Sequence, residues 1–303
     1  MPNTSSMRVL ILGAAAGGGL PQWNCGCVNC AAARKAGSGI SPQTQSSVAV
    51  SSDGETWAIL NASPDIRQQV SANAQLHPRR LRNSPIRSVL LTNGDIDHIA
   101  GLLTLREKQP FDIYMTPALA EIIDDNPVFR VLDGELVQRQ TVHLNEPFSL
   151  LPDMQALLFP VPGKVPLFME EGEPEVGKEG EQTVGVELIC GKRRAYYIPG
   201  CGAMTEALAD RIRGANLVLF DGTLFTDDEM RLTGTGEKTG RRMGHMPIDG
   251  PDGSLQALAS LDIGRKLYIH INNTNPIWRP GPEREAVERA GFEVGQDGME
   301  IMV

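Results

Sequence analysis

Long apolar runs, positive charge and cysteine are what this sequence has little of. No stretch reaches about 18 uninterrupted apolar residues, so there is no candidate membrane span. The 28 Lys and Arg stand against 37 Asp and Glu, a formal charge of −9. That balance argues against a general nucleic-acid binder or a binder of anionic membranes, since both need a positive face. The apolar stretch in MPNTSSMRVLILGAAAGGGLPQ has one basic residue before it, so Arg8–Gly13 reads as a first strand rather than a secretory leader, and a cytoplasmic protein is expected. Cysteine is scarce and odd in number, five in 303 residues, with Cys25, Cys27 and Cys30 clustered. Disulfides are unusual in a reducing compartment, and such tight spacing would close only tiny loops. A metal site is the better reading.

What is present points to a large folded α/β unit. The apolar fraction of 41% suffices for one large core and argues against disorder. At roughly 150 residues per domain the length suggests about two units, but single α/β domains of this size are common. No linker demands a second domain, so residues 1–303 are expected to form one. Strand-like apolar runs fall at Arg8–Gly13, Ser47–Ser52, Thr56–Asn61, Ile86–Thr92, Asp112–Met115, Thr141–Leu144, Met154–Val161, Thr183–Cys190, Ala195–Ile198, Leu217–Asp221 and Lys266–Ile271. Helical patterns lie between them, at Ile99–Glu107, Pro117–Asp124, Met204–Arg213, Ser254–Leu261 and Pro282–Ala290. A further helix is expected after Ser63-Pro64-Asp65, with the Ser63 hydroxyl as cap and Pro64 at the first helical position. The early strands follow one another in hairpin fashion and the later ones alternate with helices. That order predicts an α/β sandwich with mixed sheets rather than a doubly wound parallel sheet. Residues 163–181, rich in Glu, Gly and Lys, read as a long exposed loop, either a flap over a site or a solvated insertion.

Three segments carry chemistry, and one that invites a nucleotide reading does not. Gly13-Ala-Ala-Ala-Gly-Gly-Gly19 follows a strand but matches a dinucleotide loop poorly, and Pro21 stands where the helix should begin. In Cys25-Gly-Cys-Val-Asn-Cys30 three thiolates within six residues can converge on one ion, and Zn²⁺ favours four soft ligands in a tetrahedron. With all three thiolates spent, this site, about residues 20–35, is expected to be structural; its fourth ligand must come from elsewhere. The sharpest signal is Asn93-Gly-Asp95-Ile-Asp97-His98, where a strongly apolar strand ends in carboxylates and an imidazole suited to a divalent cation. Two later strands end the same way, at Asp221-Gly-Thr223 and at His270-Ile-Asn-Asn273, and Gly244-His245 adds an imidazole in a loop.

Together these residues resemble the metallo-β-lactamase fold superfamily, whose H-x-H-x-D-H frame here reads Asn93-x-Asp95-x-Asp97-His98. Asp221 and His270 fall in the order of that superfamily's bridging Asp and last His. The W-N-C-x-C-x-x-C run is similar to one in its phosphodiesterase-like branch, and the whole chain resembles the pyrroloquinoline quinone (PQQ) biosynthesis protein B family. The resemblance implies an αββα sandwich of two mixed sheets flanked by helices. It also exposes departures: Asn93 and Asp95 replace the first two His, and no His falls near Phe159–Gly163. One site of the usual two-metal clamp is therefore dismantled. Asp97, His98, Asp221 and His270 remain, and two His with a carboxylate are the donor set of non-haem Fe(II) oxygen chemistry.

What is known of the family implies an iron- and O₂-dependent hydroxylase acting on the Tyr ring of a Glu-Tyr dipeptide cut from a precursor peptide. His98, His270 and Asp97 would bind iron, with zinc or another divalent ion as a competitor. Asp221 would be a fourth ligand or would orient an imidazole. Asp95 would touch the metal or accept a substrate proton, and His245 would be an acid/base near the phenol or a packed loop residue. In the phosphodiesterase-like relatives a residue three after the last His closes the cysteine site; that position is Asn273, with Cys190 or Cys201 as the alternative. Two other activities fit the same resemblance: a carrier assisting transport of PQQ or its precursor toward the periplasm, with PQQ or a late intermediate as ligand and other PQQ biosynthesis proteins as partners, and a mononuclear metallo-hydrolase.

Overall fold

The computed structural model describes residues 6–170, 172 and 175–303. Positions 171, 173 and 174, part of the expected 163–181 insertion, lie outside the described residues. The first sheet begins with β1 (Arg8–Gly13), β2 (Ser47–Ser51), β3 (Trp57–Leu60), β4 (Ile86–Leu90), β5 (Phe111–Met115) and β6 (Val137–Thr141). The second holds β7 (Phe148–Leu151), β8 (Met154–Pro160), β9 (Val184–Cys190), β10 (Arg193–Ile198), β11 (Leu217–Asp221), β12 (Arg265–Ile269) and β13 (Phe292–Val294). The chain then returns to the first sheet as β14 (Glu300–Met302), beside β1.

Among the described residues each sheet has seven strands, ordered β14-β1-β2-β3-β4-β5-β6 and β7-β8-β9-β10-β11-β12-β13. Each has three antiparallel pairings followed by three parallel ones. This is the expected mixed-sheet sandwich.

The period-2 alternation of a strand explains how β1 and β3 serve two cores. Val9, Ile11, Ala58 and Leu60 join the main core shared with the second sheet. Leu10, Leu12, Trp57 and Ile59 face the outer helices, meeting Ile66, Ile99, Leu102 and Ile122. Burying a side chain of this size contributes about 1.5–3 kcal/mol. The parallel half of each sheet matters most for function, because parallel strands point their carboxyl ends the same way: Asn93–His98 and His270 follow β4 and β12, and Asp221 ends β11.

Several expected elements shift. The helix expected over Ile99–Glu107 starts earlier and ends sooner, as α-helix Ile96–Ile99 followed by a 3-10 turn Ala100–Leu103. Gly101 packs so tightly on the preceding layer that an added Cβ would stand 2.2 Å from the Ser63 carbonyl oxygen. The helix after Ser63 runs from Ile66 to Ala72, so Pro64 sits in a turn before it. The Ser63 hydroxyl accepts the Asp65 N–H and donates to Gln69, rather than capping the first turn. The strand expected at Thr141–Leu144 lies at Val137–Thr141, whose residues beyond Val137 are exposed, so no apolar pattern marks it. Strands β7, β13 and β14 carry too few residues to announce themselves.

Candidate metal centre

The loop after β4 orients His98 through the residue that stands where the superfamily has a His. The Asn93 side-chain oxygen accepts the Asp95 backbone N–H at 3.0 Å and lies 2.7 Å from His98 Nδ1. Because that oxygen already accepts one N–H, His98 Nδ1 must carry the proton it donates, which leaves the Nε2 lone pair bare. The His98 carbonyl accepts the Ala62 N–H, and the Ala62 carbonyl accepts the Gly101 N–H, so the turn is pinned on both sides. His98 Nε2 is buried and has no hydrogen-bond partner among the described residues.

His270 is fixed from the second sheet. Its φ is +53°, in the left-handed region that costs a non-glycine residue of order 1–3 kcal/mol. The Thr223 hydroxyl lies 2.6 Å from Asp221 Oδ1 and 2.8 Å from His270 Nδ1. Its hydrogen goes to the carboxylate, so its oxygen accepts the His270 Nδ1 proton. His270 Nε2 then turns a lone pair toward Asp97 Oδ2, 3.3 Å away, while His98 Nε2 is 3.7 Å from the same oxygen. Donors each about 2.0–2.2 Å from one ion stand roughly 3–3.5 Å apart. The spacings to Asp97 are at or just above that range and all three donor atoms lie within 4.8 Å of one another; lone-pair atoms gathered so closely repel one another unless a cation or a proton sits between them, so the donor set fits a metal.

The electrostatics agree. Burial would raise the Asp97 carboxyl, but the neighbouring His98 and His270 imidazoles, the latter through a hydrogen bond, more than offset it and hold it well below the usual range. Burial pulls His98 below the ordinary imidazole value, keeping it neutral as a ligand must be. His270 is also disfavoured as a cation by burial, yet its contact with Asp97 raises it overall.

Asp221, His245 and His270 also lie close enough to share an ion. The hydrogen bonds around Asp221 favour a supporting role instead. Oδ1 accepts from the Thr223 N–H and hydroxyl, and Oδ2 from the Cys201 N–H at 2.9 Å and His245 Nδ1 at 2.6 Å. That uses about all four acceptor positions of a carboxylate. Burial disfavours the Asp221 anion, but His245 outweighs it and keeps the carboxyl low. His245 stacks 5.2 Å from His270, ring centre to ring centre, and its Nε2 is the nitrogen that Asp221 leaves available. Asp95 is half-buried, and its Oδ1 accepts the Leu167 N–H at 3.4 Å. Thr223 and the orienting use of Asn93 escaped the sequence reading; the Asp221-Gly-Thr223 run was the one available signal.

Cys25, Cys27 and Cys30 converge, and the Asn273 amide nitrogen lies 3.2, 3.6 and 3.3 Å from their sulfurs. Neither Cys190 nor Cys201 is in the group. Cys27 opens the α-helix Val28–Ala33, its sulfur accepting the Cys30 N–H. Burial disfavours the Cys27 thiolate, yet hydrogen bonds from Cys30 and the neighbouring sulfurs hold its thiol below the ordinary value, while burial pushes Cys30 up to about 11. Asn29 donates to the carbonyls of Asn273 and Asn275, tying this loop to the segment that leaves His270.

The family model of the beta-lactamase superfamily domain matches residues 56–271. Coenzyme PQQ synthesis protein B of Rhizobium meliloti (strain 1021) is 67% identical over 301 residues, 99% of each chain. Its namesake from Ruegeria pomeroyi is 58% identical over 298 residues, 98% of this chain and all of that one. The crystal structure of Zn(2+)-bound PqqB from Methylobacterium extorquens superposes with a TM-score of 0.96 at 54% identity, covering 97% of this chain and 99% of that one. A diphosphatase of the PhnP family shares the fold, with a TM-score of 0.69 at 18% identity over 98% of this chain and 97% of that one. With this identity spread over nearly its full length, the chain belongs to the coenzyme PQQ synthesis protein B family of the beta-lactamase superfamily.

Proposed function

We propose that the chain hydroxylates the Tyr ring of a Glu-Tyr dipeptide during PQQ biosynthesis, using O₂ and one Fe(II) ion held by Asp97, His98 and His270. The observation that supports this most is the donor set: two imidazole Nε2 lone pairs and one carboxylate gathered together, while Asn93 and Asp95 stand where the superfamily has two further His. Two imidazoles and a carboxylate with open positions suit oxygen-activating iron, whereas hydrolysis by a metal pair needs the clamp that Asn93 and Asp95 no longer provide. Bound there, iron would supply activation of O₂ toward the aromatic ring. Asn93 and Thr223 keep the two ligand imidazoles in the tautomer that binds metal. Asp221 holds the proton on His245 Nδ1, so His245 Nε2 is the atom that takes or returns a proton at the phenol. Asp95, on the loop between the ligands and the 163–170 strap, touches the metal or accepts a proton from the substrate. Asn273 completes the cysteine site as a structural zinc ligand through its side-chain oxygen, the amide turning over so that Oδ1 replaces the nitrogen that faces the sulfurs. The cysteine-to-metal reading suits a reducing cytoplasm, and no helix among the described residues is long and apolar enough to cross a membrane.

The test is anaerobic reconstitution with Fe(II), followed by Glu-Tyr, O₂ and ascorbate, which supplies the two electrons that each hydroxylation by O₂ requires. Mass spectrometry reads the dipeptide. Oxygen atoms should be added with iron in the wild type, and not with zinc or in His270→Ala. An unaltered dipeptide from iron-loaded protein, with tight binding of PQQ itself, would turn the assignment to a carrier.

A further inference from the structure

We propose that Lys164 and Arg242 are the pair that binds a carboxylate of the ligand at this centre, and that Glu170 fills their place when the ligand is absent. This rests on the reading that the centre takes a carboxylate-rich molecule, as both Glu-Tyr and PQQ are.

The strap from 163 to 170 leaves the end of β8 and lies against both loops that carry the site. Its base is closed by the Gly163 N–H on Lys178 and the Gly177 N–H on Gly163. Pro166 sits against Gly94, where an added Cβ would be 3.0 Å from Pro166 Cγ. The Leu167 N–H donates to Asp95. The Lys164 stem passes 3.2 Å from the position of a Cβ on Gly244, the neighbour of His245.

At this place two cations share one anion. Glu170 Oε1 is 3.0 Å from Lys164 Nζ, and Oε2 is 3.2 Å from Arg242 Nη2. These are not solvated surface charges: the Lys164 and Glu170 side chains are 12% and 8% exposed. Among the described residues these two cations share this one carboxylate. Arg242 Nη1 is buried and donates to nothing among the described residues. A guanidinium presents its donors as a planar fork that matches a carboxylate bidentately; the Arg242 side chain is 35% exposed, so an incoming ligand can reach it, and its unused Nη1 asks for a further acceptor. A ligand carboxylate meets that demand and displaces Glu170, which has the same functional group and competes for the same donors.

Equilibrium binding to the full-length, zinc-loaded protein tests this, with PQQ and Glu-Tyr as probes and N-acetyl-tyrosine amide, which has no carboxylate, as the control. Arg242→Gln and Lys164→Met should each raise the Kd for both acidic probes about tenfold, the size of a lost charge-assisted hydrogen bond. Arg242→Lys should recover part of the loss. Glu170→Gln, which removes the competitor at constant volume, should lower the Kd several-fold, and none of the variants should change binding of the control. Thermal melts confirm that each variant is folded. Wild-type affinity for PQQ and Glu-Tyr in folded Arg242→Gln and Lys164→Met would overturn the proposal, and so would unchanged or weaker binding in Glu170→Gln. Absence of binding of either acidic probe by the wild type would overturn it together with the reading on which it rests.

Discussion

The cysteine cluster and the histidine–carboxylate cluster each bring three donors to one point, but they are built in opposite ways. The sulfurs come from six consecutive positions and stay partly exposed at Cys25 and Cys27. The other set spans Asp97 to His270, 173 positions apart, and joins the ends of β4 and β12 in different sheets. A local donor set needs only its own turn; a long-range one exists only while both sheets hold their registers. The two are also linked, because His270 and Asn273 lie on one short segment and Asn29 grips that segment from the cysteine side. The buried, long-range set is where chemistry can be shielded, and the local set is a staple that holds one of its strands.

The largest expected effect comes from cutting the long-range set. His270→Ala should lose the active-site ion and abolish hydroxylation, beyond the roughly 10–100-fold cost of changes to outer-shell residues. Metal analysis should still find the cysteine-bound zinc; loss of both ions would mean that the clusters are one unit. Cys27→Ala attacks the staple. It should lose one zinc per chain, lower the Tm by roughly 5–10 °C, and reduce activity less than His270→Ala by loosening the His270 segment. Unchanged zinc content would defeat the assignment of that cluster.

Asn93→Ala sharpens the comparison by leaving every ligand in place. His98 Nδ1 loses its acceptor, so affinity for the active-site metal should fall by roughly 10–100-fold while the cysteine zinc is retained. Metal titration by calorimetry would read it, and an unchanged affinity would show that another contact sets the His98 tautomer.

The smallest effect is a pH dependence away from both clusters. Burial raises the Asp297 carboxyl from 3.8 to about 6, although it accepts the Ala14 and Thr44 N–H groups. The folded chain therefore binds this proton more tightly than the unfolded one. The resulting stability is fully present below 3.8 and is lost as pH rises through about 6. Urea denaturation across that window should show less of this fall in Asp297→Asn than in the wild type; identical slopes would place the pH dependence elsewhere.

Much of this architecture was legible in the residues. The apolar runs of the central strands, the cysteine spacing and the Asn93-to-His98 frame all depend on local chemistry, and the sheets and the sulfur cluster formed where those signals stood. The polar edge strand Val137–Thr141 was not legible, because pairing with β5 makes it a strand without any buried face beyond Val137. The helix at Ile96 was drawn too late because the close approach at Gly101 bends the chain into a 3-10 turn.

The candidate site divides along the same line. Donor types, their order along the chain and the loss of two His at Asn93 and Asp95 are properties of composition and spacing, and they can be read without coordinates. Which imidazole nitrogen faces the centre cannot, because a tautomer is set by the hydrogen-bond partner of the other nitrogen, and for His270 that partner comes from Thr223, 47 positions away. The place of Asp221 behind His245, and of Glu170 between Lys164 and Arg242, likewise follows from acceptors and charges that meet only when the loops close over the sheet ends. Spacing along a strand tells which face a side chain takes; what it meets there depends on the packing of distant segments.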